Sequence, residues 1–262
     1  MKDEIASPVP RGVILIALAG AAFVALPIAG LAARAPWSEL GGIVTRGTTT
    51  RALAISLIVS VSAAGLCLLA GVPLGLVLAR ARFPGKAVLR AVVLLPLVAP
   101  PVVGGVALLS AFGRRGLVGR GLARLGITLP FSTAGAIVAA TFVAMPLVIL
   151  AVESGLRARG PELEEAASTL GARPGLTLRA VTLPLIRPQI LAAFVLAWAR
   201  ALGEFGATIT FAGNISGRTQ TLPLAVFESL QSDPGAAVML SVVLMASSLV
   251  TLVALRGRVF AS

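Results

Sequence analysis

Arg200 and Glu204 stand four residues apart in a stretch, Pro188 to Ala212, that carries no other charge. At that spacing two side chains share a helix face, and in an apolar setting each charge is costly unless the two pair. The same residues support two readings. One is an ion pair that fixes its helix against the neighbours; the other is an arginine that attracts a passing anion while the glutamate keeps the contact weak enough for release. Thr208 and Thr210, just beyond, offer hydroxyl donors to an anion's oxygens, or bond to their own backbone as threonines in apolar helices do. Little covalent chemistry is available elsewhere. The chain has no histidine, no tyrosine and one cysteine, Cys67, set in an apolar run. That removes His-based metal sites, Ser-His and Cys-His nucleophiles, internal disulfides and cysteine clusters.

The elements that must position these groups are membrane helices. Hydrophobic residues make up 57% of the 262 and charged ones only 12%, against about 25% charged in ordinary soluble domains. A net charge of +12 on a compact soluble fold would suggest a nucleic-acid partner, but here the basic residues lie between long apolar runs. Membrane lipid, not nucleic acid, is therefore the expected surrounding. Runs of about 20 apolar residues suffice to cross the hydrocarbon layer, and six are present: Gly12 to Ala33, Ala52 to Ala79, Val88 to Phe112, Thr133 to Val152, Pro188 to Ala212 and Ala236 to Leu255. The first exceeds the roughly 7–15-residue core of a signal peptide and reads as a span. The expected fold is all-α, a polytopic membrane protein with six transmembrane helices.

With both termini in the cytoplasm, thirteen Lys and Arg fall in inner segments, among them Lys2, Arg80, Lys86, Arg157, Arg256 and Arg258, and eight fall in outer loops. That bias sets the orientation. Four of the outer arginines, Arg114, Arg115, Arg120 and Arg124, accompany Val118, Leu122 and Leu125 at helical spacing. They read as a short helix in the membrane interface, or as charges drawing an anion to the mouth of a pathway. Pro96, Pro100 and Pro101 interrupt the third span. Each removes a backbone donor, so the break either lines a cavity where the freed carbonyls are satisfied or is a kink that shapes packing. Gly71 and Gly75 in the second span form a small-xxx-small pair suited to close helix contact.

The longest inner segment, between the fourth and fifth spans, is punctuated as a helix. Pro161 precedes Glu162, Glu164 and Glu165, and Gly171 closes the stretch. Glu165-Ala166-Ala167, Gly171 four residues later and then Val181-Thr182-Leu183-Pro184 resemble the Glu-Ala-Ala loop of binding-protein-dependent ABC permeases, with valine where the family usually has isoleucine. The resemblance implies that Glu165, Ala166, Ala167, Gly171, Val181, Leu183 and Pro184 form a cytoplasmic coupling helix and its return, docked on a separate ATPase. This chain lacks the G-x-x-x-x-G-K-[ST] phosphate loop, so ATP and magnesium are expected to be used by that partner, with no cofactor or metal held here and no enzyme activity.

From the second span onward the chain looks like the molybdate and sulfate branch of that family. The likeness is carried by Arg82 to Lys86, Leu95 to Gly104, Gly113 to Gly116 and Ala199 to Phe211, and Gly206 to Phe211 with Asn214-Ile215 is more similar to molybdate than to sulfate permeases. Residues 1–51 then add a first helix to a permease core at 52–262. The resemblance implies alternating access in the inner membrane by two permease copies, two ATPase subunits and a periplasmic oxyanion-binding protein. Pro96, Pro100, Pro101, Arg200, Glu204, Thr208 and Thr210 are the expected pathway residues, and Asn214, Arg218, Thr219 and Gln220 the expected docking surface. A sulfate or thiosulfate permease would share nearly every feature. An ion-coupled secondary transporter would need repeated halves and more intramembrane acids, and a membrane enzyme a polar catalytic cluster.

Overall fold

The computed structural model describes residues 10–259, with side chains described to residue 250 and at Val253. Lys2 and the side chains of Arg256 and Arg258 lie outside the described residues. Helix α1 (Arg11–Arg34) has no buried residue and is apolar on every side, with Ile16 and Phe23 exposed, the pattern of a helix that faces lipid. A short 3-10 turn, Trp37–Glu39, and α2 (Leu40–Thr45) lead into α3 (Gly47–Arg80), and the Trp37 indole N–H donates to the Ala32 carbonyl at 2.9 Å.

The core is built from α3 and α7 (Thr133–Arg159), joined by the later helix that carries Arg200. Small side chains make this possible. Ala63, Ala64 and Cys67 meet Ala136, Ala140 and Ala144, while Ala193, Ala197 and Ala201 close the third side. Gly71 and Gly75 sit where a side chain would not fit: a Cβ at Gly75 would lie 2.8 Å from the Val152 Cβ, and one at Gly71 would lie 3.0 Å from a Val148 methyl. The small-xxx-small pair therefore acts as read, by letting two backbones approach.

The third span is split into α4 (Lys86–Val98) and α5 (Pro101–Phe112), with Ala99 and Pro100 extended between them. Helix α6 (Gly119–Arg124) follows as the short helix expected from its spacing. After α7 come α8 (Glu162–Thr169), α9 (Pro174–Thr177), a π turn at Leu178–Thr182 and α10 (Leu183–Leu185). The chain then bends by 67° into α11 (Arg187–Leu202). The fifth expected span is not continuous: α11 stops at Leu202 and α12 (Gly206–Ala212) begins after a three-residue break. The last two helices, α13 (Leu222–Ser232) and α14 (Pro234–Val259), pack with α2 around Ile43, Leu222, Met239 and Leu240.

Among the described residues three helices, α1, α3 and α7, are long and apolar enough to span a membrane unbroken, or up to four spans if the bent α9–α11 segment is one. Two of the six expected runs are broken helices, because Pro100 removes a donor in one and Glu204 turns back to cap a new helix in the other.

Candidate functional site

Helix α8 is held at one end of the bundle by a small polar cluster. Gly160, at φ +65°, turns the chain out of α7, and the acids Glu162, Glu164 and Glu165 fill the first turn of α8, where they complement the helix dipole. Glu164 is the anchor. One carboxylate oxygen meets Arg80 Nε at 2.7 Å, and the other accepts from the Thr182 hydroxyl at 2.7 Å. The same Arg80 donates through Nη2 to the Gly160 carbonyl at 2.7 Å. The end of α3, the start of α8 and the π turn are thus tied together. Glu165 and Ala166 remain exposed, Ala167 is half-buried, and Leu163 and Leu170 stand out at 55% and 88% exposure. Gly171, at φ +81°, closes the helix with the left-handed turn expected there. Val181 and Leu183 are half-buried on either side of buried Thr182, and Pro184 is exposed. The result is a short helix, rigidly held, that offers an acidic and apolar face.

At the α11–α12 break Arg200 and Glu204 do pair, but not on one helix face. Arg200 lies in the last turn of α11, while Glu204 lies in the break and uses both carboxylate oxygens: Oε2 accepts from Arg200 Nη1, and Oε1 accepts from the Ala207 N–H at 2.9 Å. Glu204 is 2% exposed and so serves as both counter-ion and helix cap. Thr210 donates to the Gly206 carbonyl at 2.8 Å, the backbone bond open to it as a threonine, whereas the buried Thr208 hydroxyl has no hydrogen-bond partner among the described residues. Helix α12 lies against α5: Pro101 fills the space above Gly206, and Thr210 fills that above Gly105. Pro100 sits in the α4–α5 break, and Pro96 lines an apolar cavity of about 320 Å³ with Leu66, Val93, Phe142 and Met145.

The four residues expected to form a docking surface divide. Asn214 and Arg218 are exposed, but Thr219 and Gln220 are buried and present no outward side chain. Thr219 accepts from the Ile215 N–H at 2.9 Å and donates to the Gly213 carbonyl at 3.2 Å, so it closes the loop from within. Gln220 and Asn214 both donate to Glu228 on α13. A polar residue in a loop reads as outward-facing until its local hydrogen bonds are seen.

Sequence reasoning also passed over Glu153, one residue past the expected end of its span. It is 1% exposed on α7 and holds Arg90 at 3.1 Å and Arg157 at 2.6 Å. The Glu153–Arg157 spacing was the available signal; the contact to Arg90 on α4 was not readable from one chain.

The sequence pattern of the family described as "binding-protein-dependent transport system inner membrane component" matches residues 71–261. The chain is 48% identical over 235 residues to a molybdenum transport system permease protein of Mycobacterium tuberculosis, covering 90% of this chain and 89% of the relative. It is 37% identical over 215 residues to a sulfate transport system permease protein of Salmonella typhimurium, covering 81% and 78%. In three dimensions it resembles a chain of a bacterial alginate ABC transporter solved with its alginate-bound periplasmic protein, at a TM-score of 0.71 and 18% identity over 93% of this chain and 92% of that one.

Proposed function

Because this chain belongs to the family of binding-protein-dependent transport system inner membrane components, we propose that it is the membrane-spanning permease of an ATP-driven molybdate importer. The observation that carries the importer assignment is α8, an exposed acidic and apolar helix fixed to the bundle by Arg80, Glu164 and Thr182. A helix that transmits force needs a partner on one side and a stiff mounting on the other, and α8 has the mounting. The separate ATPase, in two copies, fits the free side, with Glu165 and Leu163 facing it. The likeness of 48% to a molybdenum permease, against 37% to a sulfate one, supports molybdate as cargo, with tungstate a close analogue.

Two copies of the chain would enclose one pathway, and a periplasmic oxyanion-binding protein would deliver cargo to the outer face near Asn214 and Arg218. ATP binding would draw the ATPases and their α8 helices together and open the pathway outward; hydrolysis would reset it. The Arg200–Glu204 pair and the α4–α5 break are the elements suited to change along that pathway, since α5 and α12 touch at Gly105 and Gly206 with no slack. ATP and magnesium belong to the partner in this scheme. The α8 end, bearing Arg80, Arg157 and Arg159, lies in the cytoplasm.

Competitive uptake into proteoliposomes containing the permease, its ATPase and its binding protein tests the cargo. ATP-dependent uptake of molybdate that tungstate suppresses and sulfate suppresses poorly is the expected result. Preferred uptake of sulfate would overturn the cargo, and uptake indifferent to ATP would overturn the importer.

A further inference from the structure

We propose that the cavity between the start of α4 and the end of α7 is a binding site for a tetrahedral oxyanion. It has an open volume of about 620 Å³ and is lined by Lys86, Arg90 and Arg157 with Ala87, Ala91 and Leu94. Against these three cations stands one buried carboxylate, Glu153, which engages the two arginines. The cluster therefore keeps two positive charges, matching a tetrahedral dianion. The side chains of Arg90 and Arg157 are 40% and 50% exposed, so their remaining guanidinium donors are open to a ligand. Lys86 donates to the Ala81 carbonyl at 2.8 Å, which fixes the ammonium and leaves two donors.

The start of α4 adds to the positive charge of the cavity. A helix N-terminus carries partial positive charge and is stabilised by acids or a capping side chain. Helix α4 has no acid in its first turn, no capping side chain and a lysine as its first residue, so its N-terminal partial charge adds to that of the basic side chains. A lysine and two arginines lining one cavity repel each other, and an anion between them offsets that repulsion. Ala87 and Ala91 leave the floor open for one.

Two sources carry that chemistry: the transported oxyanion on its way out, and the phosphate of an anionic lipid. The cytoplasmic location rests on the importer reading above; the site itself does not. The test is equilibrium binding of radiolabelled molybdate to the full-length chain in nanodiscs of phosphatidylcholine, with native mass spectrometry of lipid retained from discs containing phosphatidylglycerol. Lys86→Gln and Arg157→Gln are compared with Arg82→Gln, which changes an exposed neighbour outside the cavity. If cargo is the ligand, each cavity variant weakens molybdate binding about tenfold or more and Arg82→Gln does not. If lipid is the ligand, molybdate does not bind but the wild type retains phosphatidylglycerol that both cavity variants release. Wild type and folded cavity variants alike in both readouts would overturn the site, and Lys86→Gln, which removes one bond to a carbonyl, keeps the test open should Arg157→Gln unfold. Neither readout needs ATP or a binding protein, so failure here is separate from failure of the importer reading, which uptake measures.

Discussion

At the scale of residues, two glutamates organise the molecule, and each does so through partners that sequence distance conceals. Glu164 meets Arg80 and Thr182 across long stretches of chain; from sequence it was simply one of three acids at a helix start. Its side chain is 17% exposed and that of Arg80 is 29% exposed, so the bonds are mostly shielded from solvent. Glu164→Ala is expected to cost about 1–3 kcal/mol, read as faster amide hydrogen exchange across α8; unchanged exchange would remove Glu164 as the anchor. Glu204 was legible as a buried acid needing Arg200, but its capping of α12 was not, because nothing in the apolar pattern marks the helix as broken there. Glu204→Ala leaves Arg200 without its counter-ion and is expected to destabilise the protein by about 3–5 kcal/mol. The double change Arg200→Met with Glu204→Gln, which removes both charges and keeps an acceptor near Ala207, should recover most of that in thermal unfolding in detergent. A double variant as unstable as the single one would show that the charges are not what is being balanced.

At the scale of elements, hydropathy located every long helix, since a run of apolar residues is the same signal whether the helix faces lipid, as α1 does, or a core of alanines, as α7 does. Proline announced the α4–α5 break, whereas Gly203 did not announce the α11–α12 break because a glycine is tolerated inside a helix. The buried placement of Thr219 and Gln220 was hidden for a similar reason: loop polarity looks the same whether its partner is water or Gly213 and Glu228. The α3–α7 contact at Gly75 gives a sharp expectation. Gly75→Ala would bring a Cβ within 2.8 Å of the Val152 Cβ and should cost about 1–3 kcal/mol of stability, while Gly65→Ala, with nothing within 4 Å, should be neutral in the same melting assay. At the start of α14 Asp233 caps the helix by accepting from the Ala236 N–H at 3.0 Å and pairs with Arg46 at 3.3 Å. The Ala236 amide first, and Arg46 second, hold its carboxyl below the usual 3.8. A carboxyl whose folded pKa is lowered stabilises the fold above its ordinary value, and that contribution disappears as pH falls through the folded value. The stability gap between wild type and Asp233→Asn should therefore be present at neutral pH and vanish well below pH 4; a gap that persists there would assign Asp233 a purely steric role.

At the scale of the whole molecule, the chain is a bundle with two kinds of surface. One is apolar and covers α1 and the outer side of α4, where Val88, Val92 and Val98 are exposed, suited to lipid or a second copy. The other is α8 with its exposed leucines and Glu165, at the end of the bundle where α3, α7 and the π turn converge. The helix at α8 was the most legible part of the sequence, because proline, acids and glycine punctuate it; its mounting was the least, because it depends on Arg80 from a different span. The central claim is that α8 transmits the work of a separate ATPase to the membrane helices. It is tested most directly by ATP-dependent molybdate uptake in proteoliposomes holding the permease, ATPase and binding protein, with wild type compared to Glu165→Lys. Glu165 is exposed and its side chain makes no hydrogen bond or ion pair among the described residues, so the variant should fold normally and lose most uptake. Uptake at the wild-type rate by Glu165→Lys would contradict the claim.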